Sequence, residues 1–125
     1  MILNRRLVEL FVSIPPAADE LPIIRAHYDL VLWLMPKMGK FPREHRVTLG
    51  QRIEHLLYEI LEKLIRAKFS RQRRELLEAV NVDLEVLRFQ VRLAKDMRCL
   101  SVSSYGQVAQ RLLDVGRQVG GWMRS

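Results

Sequence analysis

Leu77-Glu78-Ala79-Val80-Asn81-Val82-Asp83-Leu84-Glu85-Val86-Leu87-Arg88-Phe89-Gln90-Val91-Arg92-Leu93-Ala94-Lys95-Asp96-Met97 carries two apolar stripes rather than one. Leu77, Val80, Leu84, Leu87, Val91 and Ala94 recur at alternating spacings of three and four, like the seam of a coiled coil. A second set lies on nearly the opposite side at about 100° per residue. It comprises Val82, Val86, Phe89, Leu93 and Met97, with Leu100 just beyond. One stripe faces a helical core. The other needs cover of its own, because a monomer rarely exposes so large an apolar surface. Neighbouring helices of the same chain are one cover and a second copy is the other. The balance favours the copy, which puts Val86, Phe89, Leu93 and Met97 at a subunit interface.

Working outward, breaks near residues 40–43, 70 and 101–103 divide the chain into four helical segments, roughly 23–39, 44–68, 71–98 and 103–122. The first, around Tyr28 to Pro36, is apolar nearly all round and therefore buried on more than one side. Pro36 kinks or ends its last turn, and Pro42 suits the opening of the next helix. The second repeats Leu49, Ile53, Leu56, Leu57, Ile60, Leu64 and Ala67 along one stripe. Ser70 is the expected cap of the third helix, and Ser101 or Ser103 of the fourth. Gly116, Gly120 and Gly121 lie on the fourth helix, where small residues permit close helix approach. No strand-like alternation appears after residue 22. The fold class expected is all-α, an antiparallel up-and-down four-helix bundle that oligomerises. Residues 22–125 form the bundle, and 1–21 form an N-terminal arm with a Pro-rich linker.

The composition sets limits on partners. With 125 residues, 49% hydrophobic and 28% charged, the chain suits one globular domain rather than a disordered tail. Its 21 Lys and Arg exceed 14 Asp and Glu, giving a formal charge of +7. That excess favours a polyanion, either nucleic acid or an anionic membrane surface. No apolar run reaches the roughly 18 residues of a membrane span. The N-terminal run is interrupted by Glu9 and closed by Pro15-Pro16, so it imitates a signal peptide only weakly and export is not expected. The single Cys99 forms no internal disulfide, which fits a reducing cytoplasm.

Three cations share one face of the third helix: Arg88, Arg92 and Lys95, with Arg74 farther back. Guanidinium forks bind phosphate oxygens in pairs and displace condensed counterions. Equally, Glu85 and Asp96 stand close enough to make this a solvated face of helical ion pairs. Several copies of the stripe in one oligomer shift the balance towards phosphate. A second basic group, Lys37, Lys40, Arg43, Arg46 and Arg52, surrounds the approach to the second helix. A third brackets the next connection, with Lys63, Arg66, Lys68, Arg71, Arg73 and Arg74. Trp33 and Phe89 read as core or interface residues rather than stacking platforms, while Trp122 suits either role.

Catalysis finds little footing. No glycine-rich phosphate loop follows a strand. His45 and His55 are about 80° off a common face, and His27 stands apart, so no metal cluster or cofactor site is expected. Glu54, Glu59 and Glu62 lack the inward Glu-x-x-His pattern of di-iron bundles.

Certain runs resemble a known family. Tyr28-Asp29-Leu30-Val31-Leu32-Trp33-Leu34-Met35-Pro36, Phe41-Pro42-Arg43 and Thr48-Leu49-Gly50-Gln51-Arg52-Ile53 are similar to the accessory variability determinant proteins of diversity-generating retroelements. So are Leu87-Arg88-Phe89-Gln90-Val91-Arg92-Leu93-Ala94 and Val115-Gly116-Arg117-Gln118-Val119-Gly120-Gly121-Trp122-Met123. The likeness spans about residues 22–125. The four-helix proteins of ribosomal RNA intervening sequences share the bundle and parts of the Phe-Pro-Arg segment, but the terminal Gly-Gly-Trp favours the retroelement family.

That resemblance implies a barrel-like homopentamer without catalytic activity of its own. It implies partners in a reverse transcriptase and in RNA and DNA, in support of template-RNA-directed mutagenic cDNA synthesis. Arg88 and Arg92 fall in the matched Leu-Arg-Phe-x-x-Arg segment. With Lys95 they are the expected phosphate contacts, and Arg74, Arg98, Arg46 and Arg52 are secondary ones. The alternative is a structural protein-interaction module of the intervening-sequence type with no nucleic-acid role. The arm before residue 22 has no counterpart in the family.

Overall fold

The computed structural model describes residues 21–125, and among them there are four long helices and no strands. Helix α1 is Pro22–Met38, α2 is Gln51–Phe69, α3 is Arg73–Asp96 and α4 is Val102–Arg124. The N-terminal arm and linker assigned to 1–21 lie outside the described residues, save Leu21.

The helix termini follow local chemistry. Pro22 occupies the first turn of α1, where its missing N–H costs nothing. Pro36 lies inside the last turn, so the helix passes through it and stops two residues later. Ser101 caps α4, its hydroxyl accepting from the Ser104 amide at 3.0 Å. Ser70 behaves otherwise than expected: its Oγ accepts from Gln72 N at 2.9 Å, and the helix begins only at Arg73. The third helix also ends two residues early, because Arg98 adopts a left-handed φ of 62° and turns the chain towards α4.

The entry to α2 differs most from a plain helix. A single α-turn, Arg43–His45, leads into a π-helical turn, Arg46–Gly50. Gly50 is buried there, and a Cβ on it would meet His45 O at 3.4 Å and the Phe41 ring at 3.6 Å. The wide turn accommodates Phe41, which is itself buried.

The core is built from the stripes read in sequence. Leu30 and Leu34 of α1 meet Ile53, Leu57, Ile60 and Leu64 of α2, Leu77, Val80, Leu87 and Val91 of α3, and Val108, Val115 and Val119 of α4. Truncating one such leucine to alanine costs about 2–5 kcal/mol. Lys63 of α2 and Asp83 of α3 add a partly buried ion pair between neighbours. Among the described residues one polar side chain enters the core: His27 is wholly buried, and its Nε2 donates to the Leu57 carbonyl at 2.9 Å.

Three expectations need correction. Helix α1 is not covered all round, since Leu32 and Tyr28 lie on an exposed line along it. Leu100 belongs to the core, at 6% exposure, because the turn at Arg98 swings it inward away from the second stripe. Among the described residues the glycines of α4 bring no helix close. A Cβ at Gly116 or Gly121 would meet nothing within 4 Å, and one at Gly120 would meet only the tip of Arg124.

Candidate nucleic-acid interface

The second stripe of α3 stays uncovered among the described residues. Phe89 is 54% exposed and Val82 63%, with Val86, Leu93 and Met97 exposed alongside. Phe89 is therefore no part of this chain's core. Trp33 is intermediate, half-buried against the core at the α1–α4 boundary.

The cations of α3 are engaged by acids on their own helix. Arg88 holds Glu85 with both ends of its guanidinium, Nε donating at 3.1 Å and Nη2 closer still. That bond holds the Glu85 carboxyl below the usual carboxylate range and raises the Arg88 guanidinium further. Arg92 lies 3.9 Å from Asp96, and Lys95 lies 2.9 Å from the same carboxylate. Arg74 pairs with Glu78 at 3.2 Å. Two of these cations also cover rings: Arg88 stands 5.1 Å from the Phe89 centroid and Lys95 4.9 Å from that of Tyr105. The face has the residues of a phosphate line and the pairing of a solvated one.

The secondary candidates scatter. Arg98 leaves the helix with the turn. Arg46, in the π-turn, donates to the Gly39 carbonyl at 3.3 Å, near the other basic residues of that connection. Arg52 is exposed on the first turn of α2, with no ion pair among the described residues. The structure thus brings Arg88, Arg92 and Lys95 onto one face and leaves Arg46, Arg52 and Arg98 elsewhere.

Sequence reasoning missed a cluster that forms only across helices. The half-buried Trp33 of α1 has the Lys37 ammonium 4.3 Å from its ring centroid. Arg111, from α4, places its guanidinium 5.2 Å from the same centroid. Neither cation has an ion pair among the described residues. The nearest acids in the adjoining groove are occupied, Asp29 by Arg25 at 3.3 Å and Asp114 by Arg117 at 2.7 Å. Lys37 sits one helical turn after Trp33 and was legible as a neighbour, but nothing in the sequence pairs either with residue 111.

The described residues contain no group of three or more side chains that could hold a metal ion, and no helix among them is long and apolar enough to cross a membrane. Burial pushes the Cys99 thiol up, away from the reactive thiolate.

Four long helices with cations spread over several faces define a basic helical-bundle protein. A family model described as bAvd-like matches residues 21–125, and the chain belongs to that family. The family is an accessory, non-catalytic one of the accessory variability determinant type. No curated protein matches the chain.

Proposed function

We propose that this chain is a non-catalytic accessory factor that binds nucleic acid, associates with a retroelement reverse transcriptase and supports template-RNA-directed mutagenic cDNA synthesis in the cytoplasm. The observation that carries the proposal is the bAvd-like match across residues 21–125. The charge of +7 and the cations on α3 support a polyanionic partner. In this reading the helices run antiparallel, up and down. Contacts such as those of Arg73 with Trp122 and Lys95 with Tyr105, at the two extremes of α3 and α4, support that order. The exposed stripe of Val86, Phe89, Leu93 and Met97 is covered by a second copy, in a homo-oligomer whose expected form is the pentamer. Arg88, Arg92 and Lys95 contact phosphates after exchanging their carboxylates, with Arg74, Arg98, Arg46 and Arg52 as secondary contacts. Phosphate contacts carry little sequence information, so specificity comes from the polymerase and the structured RNA.

The test is fluorescence anisotropy with labelled single-stranded RNA and DNA over a salt series. Affinity should fall steeply with salt, and Arg88→Ala with Arg92→Ala should weaken it several-fold while helicity and assembly persist. Binding that ignores salt, or a folded double variant with unchanged affinity at low salt, favours the protein-interaction module instead. Co-purification with a co-expressed retroelement reverse transcriptase tests the second partner.

A further inference from the structure

Cations on a folded surface gain phosphate affinity most cheaply when no carboxylate must first be displaced. Among the described residues Lys37 and Arg111 meet that condition, and both stand against one ring. Both are half-buried, and both charged ends stand against one indole, at 4.3 and 5.2 Å from its centroid. They therefore lie within about one Debye length of each other, ~10 Å at 0.1 M salt. Two like charges at that range repel, and neither has an ion pair among the described residues. What holds each of them is the indole π-system it stands against. A strand whose successive phosphates reach the two cations would relieve the repulsion. Asp29 and Asp114 in the adjoining groove are bound to Arg25 and to Arg117 with Gln118, so they do not fill that role.

We propose that Lys37 and Arg111, held on Trp33 across the α1–α4 boundary, form a phosphate-binding site for the backbone of a single-stranded polynucleotide, separate from the cation line of α3. This inference rests on the nucleic-acid reading above. It adds a contact that the family motifs in the sequence do not mark. The indole acts as a platform for the two cations rather than for a base, since they already stand against it. Recognition at this site is by phosphate charge and spacing, independent of base identity.

The experiment has two arms. In the first, Lys37→Gln with Arg111→Gln is compared with the unaltered chain by anisotropy on a labelled single strand between 50 and 300 mM salt. Loss of two phosphate contacts should lower the log–log salt slope by about 1.4 and weaken binding on the order of tenfold at 0.15 M salt. In the second, Trp122→Phe leaves Trp33 as the one remaining tryptophan of two. Inorganic polyphosphate, which has no bases, should change Trp33 emission saturably as the cations move off the ring. Adding Lys37→Gln and Arg111→Gln should abolish that change. Circular dichroism checks that each variant is folded. An unaltered chain that binds the strand, together with a folded Lys37→Gln, Arg111→Gln variant of equal affinity and slope, overturns this site and leaves the proposed function standing. A chain that binds no strand at any salt overturns the proposed function itself. Emission that responds to the oligonucleotide but not to polyphosphate overturns the phosphate assignment.

Discussion

Arg88 and Lys37 both lie against an aromatic ring, yet Arg88 grips Glu85 with two hydrogen bonds while Lys37 has no ion pair among the described residues. The same contrast holds for their companions. Arg92 and Lys95 share Asp96, whereas Arg111, against the same ring as Lys37, has no ion pair among the described residues. The difference arises from spacing. On α3, Arg88 and Arg92 have acids three or four positions away on their own face, the geometry of a helical ion pair, and Lys95 reaches the adjacent Asp96. Around Trp33 the two cations come from different helices, and each helix spends its nearest acid on another arginine, Asp29 on Arg25 and Asp114 on Arg117. A count of charges along the chain treats both regions alike. Their readiness to meet a phosphate differs by the work of breaking an ion pair, which is small for exposed pairs.

Assembly gives the largest expected effect on this comparison, because each added copy repeats both cation sets on one body. Phe89→Ser with Leu93→Ser removes the centre of the exposed stripe of α3 without touching the buried one. Light scattering should then report a monomer where the unaltered chain reports an oligomer, with helicity kept. Apparent affinity for a long strand should fall by more than tenfold through lost multivalency. An unaltered chain that is already monomeric at micromolar concentration would remove the reason for the second stripe's exposure.

Next in size is the loss of about tenfold expected on removing Lys37 and Arg111. A smaller effect of opposite sign tests the other half of the comparison. Glu85→Gln with Asp96→Asn frees Arg88, Arg92 and Lys95 without altering any cation, so strand affinity should rise by about threefold, in line with the modest worth of exposed pairs. The matched change beside the Trp33 cluster, Asp29→Asn, should raise it less, since that acid belongs to Arg25. Should the α3 substitutions leave affinity unchanged, the ion pairs are not what restrains the α3 line.

Most of the fold was legible because its signal is periodic. The buried residues of α2 and α3 are those that the three-and-four spacing names, Ile53 to Ala67 and Leu77 to Ala94. Errors fell where the backbone departs from that period. Leu100 continued the outer stripe on paper, but one left-handed residue at Arg98 carried it into the core. The π-turn at Arg46–Gly50 has no signature in hydrophobic spacing and answers to Phe41 packing on Gly50. On the candidate interface, the shared face of Arg88, Arg92 and Lys95 follows from helical spacing alone. Their pairing with Glu85 and Asp96 was legible as an alternative, and the side chains adopt it. The Trp33–Lys37–Arg111 cluster was not legible, because it depends on which turn of α4 lies beside α1.

His27 fixes the pH window in which these binding effects can be compared. Its Nε2 donates to Leu57 O, while Nδ1 is buried with no partner among the described residues, so a second proton on the ring would find no acceptor there. Burial accordingly holds the imidazole below its ordinary value of 6.5, and the backbone hydrogen bond offsets this only in part. Above pH 6.5 the ring is neutral in both the folded and unfolded chains, and the full stability is present. As pH falls through 6.5 the unfolded chain takes up a proton that the folded chain refuses. Stability then drops by up to about 1.4 kcal/mol per pH unit until the folded value is reached. Thermal denaturation from pH 8 to 5 should show this decline, and His27→Leu should flatten it. Slopes rather than midpoints carry the comparison, so a packing penalty from the leucine does not confuse it. A slope between pH 6.5 and 5.5 that is the same in the variant would assign the decline to other groups. Nucleic-acid binding should not change with His27→Leu at pH 7.5, because the ring is wholly buried and touches none of the cations compared above.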